Sequence, residues 1–439
     1  MAGGIWSLQD KIRPGAYLRF DSAAPWNQAS AGAGVVTMAL EMGWGPEQEI
    51  IKISAGDFFS GAAEAVLGYP LSHERILAVR ECLTNAGEVL LYRVNAGGIK
   101  ANASLGALSA TAKYPGERGN NISLSVAKNG SGFTVTTYVD GVEKERQEVT
   151  DGAPKSNHWV DMELSGGLMA VAATSLCGGS DGIAGESQYG AYFNAVKNRD
   201  WQVMALPTAD KAIPPLAKDY IYELREGLGK KVQCVVLEHT PDYEGVISVY
   251  QGYVKNGVRV EPHIFIAWVA GISAGAEINE SNTYRVIDGA EEIINPADPG
   301  EIEDKLLKGY FVIARRTDGT IVVEQDRNTL VTGTAGKSQV MAKNRVMRTL
   351  DKVANGLTNM FEANYIGVIN NNAEGRDLFK QDIVVFLQSL AAIGAIQGFG
   401  GAEDIEVAQG INPDSVVVSL AICPVDAMEK LYITVEVAV

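Results

Sequence analysis

The stretch from Asp200 to Ala276 constrains the fold most. Trp201–Leu206 (WQVMAL) is a short apolar run that stops at Pro207-Thr208-Ala209-Asp210, a turn and helix-start signal. Ala217–Leu228 then places Tyr220, Ile221, Leu224 and Leu228 at helical spacing and closes at Gly229. Lys231–Leu237 (KVQCVVL) has the β-branched content of a buried strand, and Ile264–Gly275 (IFIAWVAGISAG) is uncharged and rich in small residues. Strand, helix, strand and buried segment in that order predict a mainly parallel sheet covered on both faces.

Either side of this core the texture changes. Gly3–Ala24 scatters Trp6, Ile12, Tyr17 and Phe20 around Arg13-Pro14-Gly15 without a period. It is too apolar for a solvated tail and too short for a core, and it reads as an arm that needs a partner. Gly34–Leu40, Glu49–Ile53 and Val89–Val94 read as strands. Helices are expected over about 57–67 and from Ser72, as N-cap, to Asn85. From Lys100 to Gly178 helical periodicity gives way to alternating runs at Ile122–Val126, Phe133–Val139 and Val142–Val149. Asp140-Gly141 between the last two is a hairpin signal, and an all-β insertion is expected. Val340–Phe361 is the longest helix signal, with Val346, Leu350, Val353, Leu357 and Met360 on one stripe. Phe379–Leu390 is a second helix. Ser415–Ile422 and the closing Leu431–Val439 (LYITVEVAV) read as strands, the latter reaching about 30 Å at roughly 3.3 Å per residue.

Length and charge exclude some classes. The 439 residues predict about two to four domains. A formal charge of −16 disfavours a nucleic-acid or anionic-membrane partner. Cys82, Cys177, Cys234 and Cys423 lie far apart with no CxxC spacing, so buried free thiols are expected, with no disulfide framework and no metal. Met1–Ile12 lacks the basic start and apolar run of a signal peptide, and no stretch approaches the roughly 20 apolar residues that span a bilayer. A soluble, cytoplasmic product is expected.

Enzyme-like patterns are present and are read as structural. Gly271-Ile-Ser273-Ala-Gly275 matches a nucleophile elbow, yet His73, His158, His239 and His263 all precede the serine. That rules out the α/β-hydrolase order, while position does not exclude the subtilisin order of Asp, His and Ser. Gly333–Ser338 resembles the end of a P-loop, but Val331 stands where its first glycine belongs. Glu291, Glu292, Glu301, Glu303 and Asp304 suit a solvated helix start better than a cation site. Arg345, Arg348 and Lys352 share a face at i, i+3 and i+7 against the acidic background and are candidates for docking on an acidic partner.

At the start of the β-rich region, Tyr114-Pro115-Gly116…Gly119-Asn120-Asn121-Ile122 resembles the sheath protein of contractile phage tails. Further matches are Arg13-Pro14-Gly15-Ala16-Tyr17, Ala270-Gly271…Ala274-Gly275, Asn328-Thr329-Leu330, Asn344-Arg345-Val346, Tyr365-Ile366-Gly367…Asn370-Asn371 and Asp426-Ala427-Met428-Glu429-Lys430-Leu431-Tyr432. They run in order along nearly the whole chain and are most similar to prophage-type sheaths of Gram-positive bacteria. The resemblance implies an α/β and α+β multidomain chain. Its parts would be an arm (1–30), a small α/β domain (31–99), an inserted β-sandwich or barrel-like domain (100–178), a subtilisin-like α/β core (179–335) and a C-terminal α+β polymerising domain (336–439). It implies a homopolymer of hexameric rings stacked around an inner tail tube, with a baseplate and a tail terminator as further partners. Such a subunit would assemble in the host cytoplasm, end in the virion tail, and need no cofactor. Strand addition between subunits is then expected through Tyr17, Leu18, Phe20, Leu431, Tyr432, Ile433, Val435 and Val437, and tube docking through Arg345, Arg348 and Lys352. A subtilisin-like hydrolase and a non-contractile self-assembling shell protein are the alternatives.

Overall fold

A computed structural model describes the backbone at Gly3–Gly4 and Ala16–Tyr17, and then residues 34–334 and 337–436. The chain divides into two compact units. One is Thr37–Asp200, and the other takes in residue 201 onward with the described residues up to Val36.

In the unit Thr37–Asp200, Ile50–Ser54 pairs antiparallel with Glu88–Arg93, and Val35–Leu40 borders the latter strand. Helical segments connect them, shorter than the periodicity predicted. The expected helix over 57–67 is two pieces, Ala55–Phe59 and Glu64–Leu67, because Gly61 takes φ +83 between them. The next begins one residue later than predicted. His73, not Ser72, is the cap: its Nδ1 accepts from the Arg75 amide ahead of a 3₁₀ turn (Glu74–Ile76) and the helix Leu77–Leu83. The β-rich region forms two sheets. Four antiparallel strands run Val142–Val149, Gly132–Val139, Ile122–Asn129, Val171–Ser175, and three run Val160–Leu164, Leu108–Ala112, Asn102–Leu105. Asp140 and Gly141 take φ +52 and +76, the paired left-handed residues of the tight hairpin turn expected there.

The Tyr114-Pro115-Gly116 motif serves packing in this unit. Arg93 is 0 % exposed and donates to the carbonyls of Gly45 (2.9 Å), Pro115 (2.6 Å) and Asp181 (3.1 Å). Tyr114 meets Trp44 edge-on, with ring centroids 5.3 Å apart. Gly116 has φ +134, and a Cβ there would strike the Gly43 carbonyl. Arg118 forks onto both Asp140 oxygens at 2.7 Å.

In the other unit, Val203–Ala205, Gln233–Leu237 and Val246–Val249 form a parallel sheet, as the opening stretch predicts. The helix Ile213–Tyr222 starts on proline and continues as a π-helix, Glu223–Gly227. Pro262–Gly275 is a helix buried from Phe265 to Ala274. Its small residues permit close approach, since a Cβ on Gly34 would strike the Ala274 carbonyl. The strands Gly252–Lys255, Val258–Val260 and Ala290–Ile294 make a second sheet, and Ile313–Arg315 pairs with Ile321–Val323. The acidic residues read as a helix start are so in part: Asp298 and Glu301 form a reciprocal capping box at the head of Pro299–Leu307, whereas Glu291 and Glu292 lie in the strand Ala290–Ile294. The basic–apolar run becomes the helix Asn344–Asn364, followed by Ala373–Ala392 and a hairpin of Ile405–Gln409 with Val416–Leu420. Val353, Leu357, Phe379, Ile383, Leu387 and Ile405 fill the core between these helices and the hairpin. No helix among the described residues is long and apolar enough to cross a membrane. The four cysteines are free thiols; Cys82 and Cys234 are buried as expected, but Cys177 is exposed.

Candidate assembly surface

The C-terminal end of the chain presents two complementary features. The hairpin Ile405–Gln409/Val416–Leu420 is a two-stranded sheet whose outer edges pair with no other strand among the described residues. Beyond it, Leu431–Glu436 was expected as a strand and has no regular structure. A strand exists only through the hydrogen bonds of a neighbour, and no edge among the described residues supplies them here. Leu431, Tyr432, Ile433 and Val435 are 82, 87, 71 and 75 % exposed. Four large apolar side chains in water over five residues form a surface of the kind that marks an interface.

This extension leaves the body at a polar node. Glu429 Oε1 accepts from the Thr283 hydroxyl at 2.8 Å and Oε2 from Gln325 Nε2 at 3.1 Å, and Lys343 Nζ also donates to Oε2. Lys343 lies 3.5 Å from Asp426 as well. Thr283 Oγ1 accepts in turn from the Asp326 amide (2.9 Å), and Asp326 accepts from Asn344 Nδ2 (2.9 Å), the Asn282 amide (3.0 Å) and Arg348 Nη2 (3.1 Å). Asn328, 0 % exposed, accepts from Leu330 N and donates to the Met341 carbonyl. Asn344-Arg345-Val346 and Asp426…Glu429, far apart in sequence, therefore converge here, and the Asn328 amide donates to the Ala342 carbonyl beside them.

The structure places the sequence candidates as follows. Ala16–Tyr17 pairs in parallel with Gly3–Gly4, so part of the expected N-terminal strand does pair within the chain. Leu18, Phe20 and Val437 lie outside the described residues. Of the basic trio, Lys352 faces solvent, whereas Arg345 is 6 % exposed and Arg348 is occupied by Asp326 and the Glu280 carbonyl. Burial holds the Arg345 guanidinium below its ordinary range. Ser273 is 2 % exposed inside the Pro262–Gly275 helix, not on a strand-to-helix elbow. In the P-loop-like run, Lys337 pairs with Glu244 at 2.6 Å. Among the described residues no cluster of His, Cys, Asp or Glu could hold a metal ion.

Sequence reasoning missed the first hairpin strand, Ile405–Gln409, and the roles of Thr283, Gln325 and Glu429. The strand's alternation was there to be read. The three polar residues carry no local signal of their meeting.

Four family models match: the tail sheath protein Gp18 domain III N-terminal region over residues 33–94, the phage tail sheath protein beta-sandwich domain over 96–181, the phage tail sheath protein central domain over 182–329, and the phage tail sheath C-terminal domain over 336–438. The phage-like element PBSX protein XkdK of Bacillus subtilis is 32 % identical, with both chains covered in full. The crystal structure of a sheath tail protein from Desulfitobacterium hafniense is 36 % identical, superposes with a TM-score of 0.84, and is matched over 95 % of this chain and 98 % of that one. The helical sheath of the anti-feeding prophage in its contracted state shares the fold at 14 % identity (TM-score 0.57; 97 % and 99 % covered). On these grounds the chain belongs to the phage tail sheath family.

Proposed function

We propose that the protein is the structural subunit of a contractile tail sheath, polymerising as helically stacked hexameric rings around a tail tube and shortening to drive that tube through a cell envelope. The observation that carries this reading is the pairing of an exposed, strand-patterned extension (Leu431–Glu436) with an open-edged hairpin on the same chain. What one copy lacks, a strand and an edge, another copy supplies, and backbone hydrogen bonds made this way hold while whole subunits move. In this reading the Val203–Ala205, Gln233–Leu237, Val246–Val249 sheet belongs to a subtilisin-like body over about 179–335, residues 100–178 form an insertion, and residues 336–439 polymerise. Assembly takes place in the host cytoplasm, with the tube, baseplate and terminator as partners. Lys352 is the solvent-facing member of the tube-docking face, whereas Arg345 is buried and Arg348 is tied to Asp326.

The test is negative-stain electron microscopy of the full chain and of a version ending at Lys430, each with and without the tube protein. Hollow tubes from the full chain alone are expected. Equal tubes from both chains would sink strand addition, and no polymer under any condition would sink the sheath reading itself. Lys352→Glu is expected to weaken co-assembly with the tube.

A further inference from the structure

We infer that Glu429 is the fixed pivot of the C-terminal extension, a positioning residue that sets where and in which direction the strand leaves the body. The inference rests on the strand-addition reading but adds to it a specific residue and a device. Val425 is buried, Met428 is fully exposed, Glu429 is enclosed again, and Lys430 and everything described after it is exposed. Glu429 is therefore the last described residue whose side chain the body holds.

Three features make Glu429 a clamp and not one surface acid among many. Its side chain is 11 % exposed, and each oxygen is held by a donor. The donors come from three separate places, 146, 104 and 86 residues upstream. One of them, Lys343, is the residue from which the Asn344–Asn364 helix starts, and that helix shares a core with Ala373–Ala392, the helix packed on the receiving hairpin. The clamp thus ties the root of the outgoing strand to the same core that carries the receiving hairpin. Hydrogen bonds to a mostly buried carboxylate are among the stronger ones, so the root stays closed most of the time. A strand launched from a fixed point meets a neighbour's edge at a higher effective concentration than one on a freely swinging tether. The adjoining bond, Lys430–Leu431, provides a probe. A protease takes several residues in extended form, so trypsin can cut beside a held Glu429 only when the clamp opens.

The experiment compares wild-type protein with Glu429→Ala and the near-isosteric Glu429→Gln. Loss of residues 431–439 to trypsin is followed by intact mass, and assembly is followed by pelleting and microscopy. Circular dichroism and thermal melts check that the body is folded. The expected result is a melt close to wild type, cleavage at Lys430 roughly tenfold or more faster in Glu429→Ala, Glu429→Gln between the two, and poorer polymerisation in the same order. Unchanged cleavage overturns the clamp whatever assembly does. Faster cleavage with wild-type assembly, while the chain ending at Lys430 fails to assemble, overturns the pivot and leaves strand addition standing. If the chain ending at Lys430 assembles normally, the underlying reading fails instead.

Discussion

Buried polar side chains in this protein are kept by donors and acceptors drawn from distant segments. Arg225 is enclosed and meets both Asp351 oxygens at 2.6 and 2.8 Å, so two charges taken out of water neutralise each other with fork geometry. His73, His239 and His263 are each held below the ordinary imidazole value, chiefly by burial, with Arg118 adding to the effect at His73 and Lys218 at His239. His239 Nε2 is buried without a hydrogen-bond partner among the described residues. A histidine depressed in the folded state binds its proton more readily when unfolded. Its contribution to stability is therefore complete above pH 6.5 and is lost as pH falls through that value. Thermal unfolding is expected to move to lower temperature between pH 7.5 and 5, and less so in His239→Asn. An unchanged pH slope in that variant would remove His239 from the explanation. None of this could be read from the sequence, where a histidine carries no mark of its burial.

At the level of elements, local pattern was a good guide wherever local energetics decide. The apolar stripe of Asn344–Asn364, the Asp140-Gly141 hairpin and the parallel strands Val203–Ala205 and Gln233–Leu237 all lie where period and turn chemistry put them. The misses have physical causes. Gly61 breaks a helix that periodicity runs through, and Leu431–Glu436 has strand alternation but no edge to pair with. Two glycines separate strain from collision. Gly141→Ala, at φ +76 in open space, should cost about 1–2 kcal/mol. Gly116→Ala must take φ +134 and also displace the Gly43 carbonyl, so a loss on the order of 3 kcal/mol or more is expected. Denaturant melts of the two variants check the ranking. Equal losses would show that the Gly116 contact relaxes cheaply.

For the molecule as a whole, the net charge bears on assembly. Each copy carries −16, and a homopolymer brings those charges together. Repulsion between copies is screened once the Debye length falls to a few ångströms, about 3 Å at 1 M salt. Polymerisation is accordingly expected at lower protein concentration as ionic strength rises. Pelleting across a salt series checks this, and a critical concentration that rises with salt would point instead to ion pairs as the main glue between copies.

The amino-acid sequence by itself determined many of the elements, the β-rich character of residues 100–178 and, through an ordered set of short motifs, the family. Each of these is written in residues a few positions apart. The tertiary structure alone decided that Thr283, Gln325, Lys343 and Glu429 meet, that Arg345 and Arg348 turn inward while Lys352 does not, and that the last apolar run stays unpaired. The physical reason is range. Helical and strand periods act over a few residues, whereas a node closed across 86 to 146 residues leaves no periodic trace in the chain that forms it.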